Sequence, residues 1–404
     1  MESQKQKNIL VGVSGGIAAY KSVQLVSDLV KLGYDVEVLM TNNATQFIQP
    51  LTFETLIKHK VIVDTFDRSF EYSTKHISLA KKADVILIAP ATANVIAKIA
   101  NGIADDMLTT TILAAECPKI IAPAMNTVMY HNPATQENFE RCKRHGILFV
   151  EPEDGLLACG DVGKGKLAGI PHLIEAVQTA LVYDKPLKGQ KVVITAGPTI
   201  EYIDPVRYIT NHSSGKMGYA LARAARNMGA HVVLISGPVA LPYPTDMQVI
   251  PVQTASQMFD AVVAQYQDAD MIVKAAAVSD YRIAEPSAEK IKKLTEETTL
   301  TLVRNPDILA YLGEHISSTQ VLCGFAMETQ DLIANASAKR SKKNADMIVA
   351  NDLKQPGAGF AHDTNITTLI TSTEVKSLPL MRKEDLAYEI FRELLNIQTQ
   401  KRGK

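Results

Sequence analysis

Short apolar runs alternate with longer amphipathic ones along this chain. After a polar start, residues 8–13 (NILVGV) read as a buried strand, and Gly15-Gly16 follows it. Residues 17–32 carry apolar positions at helical spacing, Gly33 ends them, and 36–40 is a second apolar run. Strand, glycine turn, helix and strand make a βαβ unit. Further strand-like runs at 85–89, 120–122 and 147–150 are separated by helical patterns. A parallel, doubly wound α/β sheet is the economical arrangement.

The rhythm breaks at YDKPLKG, residues 183–189, a polar link containing Pro and Gly. The opening theme then recurs. A strand at 191–195 runs into Ala196-Gly197-Pro198-Thr199, a helix is expected over 215–228, and 232–236 is the next strand. An extra loop, 200–214, separates turn from helix in this second half. A later strand is expected at 271–277. The pattern predicts two doubly wound α/β domains, 1–185 and 186–404, with a fraying helix end beyond Arg392.

Composition narrows the class. A chain of 404 residues exceeds one ordinary core. With 46% hydrophobic and 21% charged residues it is globular and not disordered. Lys plus Arg number 42 against 43 Asp plus Glu, so the basic excess of a broad nucleic-acid surface is missing. The four cysteines, Cys117, Cys142, Cys159 and Cys323, form no C-x-x-C pair, so neither a zinc ribbon nor a disulfide framework is supported. No run approaches the roughly 20 apolar residues of a membrane span, and the N-terminus does not read as a signal peptide. The expectation is a cytoplasmic protein acting on small molecules, without nucleic acid or membrane as partner.

Candidate chemistry gathers where strands end. GVSGGIAAYK, residues 12–21, places small residues between a strand and a helix N-terminus, where backbone N–H groups can approach a phosphate. The spacing is not G-x-G-x-x-G, and the second strand ends in Met40-Thr41-Asn42-Asn43 without the acidic residue that holds a dinucleotide ribose. A mononucleotide is favoured over NAD, although a tight strand–helix turn has the same signature. Pro90-Ala91-Thr92-Ala93-Asn94 follows another strand and fits a ligand at the sheet's carboxyl edge; Thr92 or Asn94 as a helix cap is the plainer reading. PAMNTVM, 123–129, and LACGDVGKGK, 157–166, come next. The latter contains G-x-x-x-x-G-K, but Leu167 stands where a P-loop needs Ser or Thr, so it reads as a flap around Cys159.

In the second half, Ser213-Ser214-Gly215 before a helix suits an anion, or simply a Ser N-cap. Asp280 lies past a strand end. Lys290 to Lys293 and the 339–343 segment are basic, as triphosphate chemistry requires, although charge runs are more often solvated faces.

These motifs resemble the flavin-dependent cysteine decarboxylases. Nearly the full length is similar to the family in which phosphopantothenoylcysteine decarboxylase is fused to phosphopantothenate–cysteine ligase, a family of coenzyme A biosynthesis. The resemblance implies a flavodoxin-like flavin-binding domain followed by a Rossmann-like ligase domain. It implies FMN lined by Gly15, Gly16, Ile17, Thr41 and the 91–94 segment (Ala91, Thr92, Asn94). His76 matches the family's catalytic histidine, Asn126 the asparagine that grips the substrate carboxylate, and Cys159 the flap cysteine that donates a proton. For the ligase it implies CTP, with activation of 4′-phosphopantothenate as an acyl-cytidylate before attack by the cysteine amine. Asn211 matches the residue needed for that step, and Lys290 an essential lysine. Asp280, Lys290, Pro306, Asp307, Ile308, Leu309, Phe325, Lys339 and Lys343 match nucleotide-site positions. Asp280 is the candidate Mg²⁺ carboxylate and Arg207 a candidate substrate partner. Trimeric flavin domains and dimeric ligase domains, combined as a dodecamer, are the implied homo-oligomer. The competing class is a regulatory, non-catalytic flavin-fold protein. Such relatives can keep the histidine and lose the flap cysteine, whereas His76, Asn126 and Cys159 all occur here. A decarboxylase of peptide C-terminal cysteines is a second rival, disfavoured by the ligase half.

Overall fold

The computed structural model describes residues 6–66, 75–158, 160–182, 184–292, 299–328, 331–352 and 362–403. The chain divides into two compact units, Met1–Tyr183 and Asp184–Lys404.

In the first unit, β1 (Asn8–Val13), β2 (Asp35–Met40), β3 (Val85–Ala91), β4 (Lys119–Pro123) and β5 (Leu148–Phe149) form a parallel sheet in the order β2-β1-β3-β4-β5. This is the flavodoxin-like order, and its direction of build reverses between β1 and β3. Every residue of β1 and β3 is buried, as a strand covered on both faces requires. The helices are α1 (Ala19–Lys31), α2 (Pro50–Ile57), α3 (Lys75–Lys82), α4 (Ala93–Asn101), α5 (Met107–Ala114), α6 (Thr127–His131), α7 (Pro133–Arg144) and α8 (Ile170–Ala180). Ile9, Val11 and Val13 point to one face with Leu25, Phe53, Leu173 and Val177 of α1, α2 and α8. Leu10, Ile86 and Ile88 point to the other, with Ile96, Leu108, Ile112 and Phe139 of α4, α5 and α7. The segment after β5 makes an antiparallel hairpin, β6 (Glu153–Leu156) with β7 (Val162–Lys166), and not a P-loop.

In the second unit, β8 (Lys191–Ala196) is followed by a small antiparallel hairpin, β9 (Ile200–Tyr202) with β10 (Tyr208–Thr210), in the stretch expected to be loop. The remaining strands are β11 (His231–Ser236), β12 (Gln248–Pro251), β13 (Met271–Lys274), the paired β14 (Tyr281–Ile283) and β15 (Leu302–Arg304), β16 (Val321–Glu328), β17 (Met347–Asp352), β18 (Thr364–Ile370) and β19 (Val375–Arg382). The eight-stranded sheet runs β12-β11-β8-β13-β16-β17-β18-β19. Its first six strands are parallel in Rossmann-like order, and β18 and β19 extend it antiparallel. Helices α10 (Ala255–Val263), α11 (Ile308–His315) and α12 (Leu332–Lys342) bury Met258, Leu312 and Ala336 against Val193, Ile272 and Ile348. α9 (Lys216–Asn227) packs over β8 and β11 and against α13 (Lys383–Arg402).

Two expectations are corrected here. The strand expected to reach 277 ends at Lys274, where the Ala275 N–H turns to Thr195 O at 3.2 Å. The tail beyond Arg392 does not fray: α13 continues to Arg402 and buries Leu394 and Gln398. Lys401 Nζ bridges Asp346 and Gln320 O, each at 2.7 Å, and Arg402 pairs with Asp270 at 2.9 Å. The polar residues that made the tail look solvent-bound are its anchors.

Candidate functional site

Each unit opens a cleft where its strand order reverses, at the carboxyl ends of its parallel strands, the usual place for a ligand in such sheets. In the first unit the cleft has a volume of about 610 Å³ and is lined by Gly15, Gly16, Ile17, Thr92, Asn126 and Leu156, among others. Its walls are mostly carbon. Two glycines make the turn possible, but for different reasons. A Cβ on Gly15 would collide with Asn43, whose carbonyl carbon would lie at 2.8 Å; on Gly16 the nearest contact would be an ordinary 3.6 Å to Thr92. The turn is thus pressed against the loop that follows β2.

Ser14, which sequence reasoning passed over, ties the β1 and β3 ends together. It is fully buried; its Oγ donates to Pro90 O at 2.7 Å and accepts from Thr92 N–H at 2.9 Å. Its only signal was a small polar residue ahead of the Gly pair. Thr92 is the N-cap of α4, accepting from Val95 N–H, and it also lines the cleft.

Asn126 caps α6: its Oδ1 accepts the Val128 N–H at 2.8 Å, and Nδ2 donates to Asp161 Oδ2 on the hairpin at 2.6 Å. Thr41 lies after β2, where its N–H donates to Val13 O at 3.0 Å. Ala91 is buried in β3, and Asn94 is exposed on α4. His76, half-buried near the start of α3, is outside the cleft lining, as are Thr41, Ala91 and Asn94. Cys159 lies outside the described residues, which run up to it on both sides of the hairpin tip. Cys142 and Cys323 are buried and free, and burial pushes both thiols up, Cys142 to about 11. That leaves neither suited to thiolate chemistry.

The second unit's cleft has two lobes, of about 280 and 440 Å³. Both are lined by Lys274, Val278, Asp280 and Lys339. The smaller lobe adds Ser213, Ser214, Gly215 and Phe325; the larger adds Ser279, the 306–309 segment and Lys343. Gly218 lets α9 start this close to the sheet, since a Cβ there would sit 2.5 Å from that of Ala196. Asp307 is the N-cap of α11 and pairs with Lys343 at 2.6 Å. Burial works against its charge, but Lys343 and the Ala310 N–H prevail and hold its carboxyl below the ordinary value. Lys339 Nζ donates to Phe325 O at 3.0 Å.

Sequence reasoning missed the lysine at the junction. Burial, with Lys339 nearby, pushes Lys274 down to about 8. Lys383 lines the smaller lobe and is likewise pushed down to about 8, by burial and by Lys216. A lysine closing an apolar strand run was the available signal for Lys274. Nothing local marked Lys383, which comes in from the start of α13. Ser279 Oγ is buried in the larger lobe with no partner among the described residues, an orphan suited to a ligand's polar atom.

Three expected residues stand apart from these lobes. Asn211 is exposed at the rim, its Nδ2 donating to Ala277 O at 3.2 Å. Arg207 is engaged structurally: Nε donates to buried Asp204 at 2.9 Å and Nη2 to Ile291 O at 3.0 Å. The guanidinium holds the Asp204 carboxyl far below the usual range. Lys290 is exposed and outside both linings, though its neighbour Ile291 is tethered by Asp204 through its N–H at 3.2 Å. No group of three or more His, Cys, Asp or Glu side chains suited to a metal occurs among the described residues. No helix among them is long and apolar enough to cross a membrane.

A carbon-walled groove in one unit and a lysine-rich, two-lobed cleft in the other define a two-site α/β protein. Residues 1–182 match the flavoprotein family model, and 187–397 match that of the DNA/pantothenate metabolism flavoprotein C-terminal domain. The chain is 49% identical over 398 residues to the coenzyme A biosynthesis bifunctional protein CoaBC of Bacillus subtilis, covering 98% of each. It is 43% identical over 392 residues to the Escherichia coli K12 protein of that name, covering 96% of this chain and 97% of that one. A crystal structure of the C-terminal domain of a protein so named is 41% identical, with a TM-score of 0.47 over 54% of this chain and all of that one. The chain belongs to the family of bifunctional coenzyme A biosynthesis proteins.

Proposed function

We propose that this protein carries out two successive steps of coenzyme A biosynthesis, with the 186–404 domain acting first and the 1–185 domain second. The first joins cysteine to 4′-phosphopantothenate at the expense of CTP; the second decarboxylates the product to 4′-phosphopantetheine. The observation that carries this reading is the pair of chemically different clefts, each at a strand-order reversal in its own unit.

In the ligase step a substrate carboxylate oxygen attacks the α-phosphorus of CTP, and pyrophosphate leaves. The cysteine amine then attacks the acyl carbon, and CMP leaves. Lys274, Lys339 and Lys343 spread positive charge over the two lobes, where it offsets the triphosphate. The 306–309 segment and Phe325 border the nucleotide. Orphaned Ser279 Oγ offers it a hydroxyl. Asp280 would supply a carboxylate to Mg²⁺, which would offset the charge of the triphosphate. Asn211, at the rim, holds the acyl-cytidylate, and Lys290 approaches from the loop tethered by Asp204. Arg207 serves the substrate through that loop.

In the decarboxylase step FMN, when bound, supplies the two-electron chemistry that gives the departing carboxylate's electron pair a place to go. The chain's residues do the rest. The Gly15-Gly16-Ile17 turn, Thr92 and the adjoining Thr41, Ala91 and Asn94 positions hold the flavin. Asn126 Nδ2 donates to the substrate carboxylate and orients the bond to be broken. The hairpin excludes water, and Cys159 returns a proton to carbon. His76 acts from α3.

The exposed apolar side chains of the first unit, such as Leu156 (71% exposed) and Val162 (78%), suit burial against further copies. We take the homo-oligomer to be built of trimeric flavin and dimeric ligase domains, assembled as a dodecamer in the cytoplasm. One assay tests both steps. With CTP, Mg²⁺, cysteine and 4′-phosphopantothenate, the yellow protein releases pyrophosphate and CO₂. A protein that cannot take up FMN sinks the decarboxylase half. Pyrophosphate release that does not depend on phosphopantothenate sinks the ligase half.

A further inference from the structure

The hairpin β6–β7 touches the body of its unit along its length, with Lys164 Nζ over the Tyr130 ring at 5.4 Å and Glu153 accepting the Gly169 N–H at 2.9 Å. Its base is held by the Met125 N–H, which donates to Gly165 O at 3.0 Å. Its tip is a turn in which the Leu157 N–H donates to Asp161 O at 2.8 Å. From that tip the Asp161 side chain reaches Asn126 Nδ2 at 2.6 Å. The amide cannot turn over cheaply, because its Oδ1 already accepts the Val128 N–H at 2.8 Å. Nδ2 is therefore the end presented to the cleft mouth, and the protein's own carboxylate lies on it.

We propose that Asp161 is an internal stand-in for the substrate's carboxylate. It holds Asn126 Nδ2 until substrate arrives, is displaced by the substrate's carboxylate, and returns once CO₂ has left. The proposal rests on the decarboxylase reading of this cleft. An amide nitrogen has two protons, but seating both carboxylates on it would bring like charges within a few ångströms. Exchange relieves that repulsion. Because the exchange involves a side chain at the hairpin tip, seating a carboxylate also breaks this hydrogen bond between the tip and Asn126, and losing the carboxylate lets it re-form. Asp161 is thus a positioning residue that sets how strongly the site prefers the carboxylated substrate over its decarboxylated product. The competition makes substrate binding weaker than it could be and gives product no such opponent to displace.

The test uses full-length, FMN-loaded protein and two ligands with the thiol capped by a methyl group, so that no turnover begins. One is S-methyl phosphopantothenoylcysteine; the other is S-methyl phosphopantetheine, which lacks the carboxylate. Calorimetry reads both affinities in wild type, Asp161→Ala and Asp161→Asn. Asp161→Ala is expected to bind the carboxylated ligand about tenfold tighter, the equivalent of one charge-assisted hydrogen bond no longer displaced, with the other ligand unchanged. Asp161→Asn, which keeps an acceptor of the same shape without the charge, gives a smaller gain. Equal weakening for both ligands would show that Asp161 only supports the hairpin. Selective weakening of the carboxylated ligand would show that it assists binding. Either result overturns the proposal. Wild-type protein that binds neither ligand would overturn the decarboxylase reading itself.

Discussion

Gly15 and Gly16 are indistinguishable as a pair of letters, yet the structure predicts opposite tolerance of a methyl group. In Gly15→Ala the new Cβ overlaps Asn43, and the carbonyl carbon at 2.8 Å is backbone that no rotamer change can move. Ordinary contact needs roughly 0.6 Å more, so the loop after β2 must shift or the turn must open. Overpacking of this kind costs about 1–3 kcal/mol. For a unit of this size that is a fall in Tm of roughly 2–12 °C. The Gly15 turn lines the cleft proposed for the flavin, so FMN content is expected to fall with the Tm. In Gly16→Ala the nearest atom lies at 3.6 Å, and the Tm stays within about 1 °C of wild type because surface changes without a steric conflict cost little. The assay is differential scanning calorimetry of both variants with and without added FMN, with flavin content read from the visible band. A Gly15→Ala protein with unchanged Tm and full FMN would refute the steric argument. So would a Gly16→Ala protein that unfolds as readily as Gly15→Ala.

Three further outcomes are expected. Lys274 has a folded value near 8 against 10.5 ordinarily, so the folded unit binds fewer protons than the unfolded chain between those pH values, and stability rises with pH across that window. Lys274→Met removes this rise: the variant melts higher than wild type at pH 7, releases pyrophosphate more slowly, and loses the difference in Tm by pH 10.5. A lower Tm at pH 7 would contradict the desolvation account. Deleting residues 393–404 strips α13 of buried Leu394 and Gln398 and of the Lys401 and Arg402 anchors, and the second unit is expected to lose its cooperative melt, whereas a merely frayed end would leave it intact. Cys159→Ser keeps the yellow flavin but fails to form 4′-phosphopantetheine; fully reduced product from that variant would remove the cysteine from the proton-transfer role.

What could be read from the sequence follows from how local its cause was. The strands β1, β3, β8 and β11 are continuous apolar runs because both of their faces are covered, so their positions were legible within a residue or two. The glycine turns and the PAMN segment were legible because their conformations need particular residue types. Lys274 was not, since a lysine's meaning depends on what desolvates it, and here that is the packing around the cleft. Lys383 and Asn365 reach the same cleft from segments more than a hundred residues beyond its glycine turn, and no spacing rule connects them. The end of α13 was misread because Gln398, Lys401 and Arg402 look like solvent-facing residues until their partners Gln190, Asp346 and Asp270 are in place. Arg207 shows the opposite case: an arginine in a motif looked available for substrate, yet its fork is occupied by Asp204 and Ile291.

The groove of the first unit draws its walls from three early strand ends and from the hairpin that precedes its last helix. No ribosome-bound chain can build this unit before α8 has been made, because Leu173 and Val177 complete the core against β1. Once α8 has emerged, no residue of this unit's core helices or of the groove lining is still to come, while translation of the remaining chain takes about 10–50 s at typical rates. The lysine cleft, by contrast, needs Lys383 and so matures only as the final helix appears. The half that acts second on the substrate is therefore finished first in synthesis, and it can capture its flavin while the ligase is still being made.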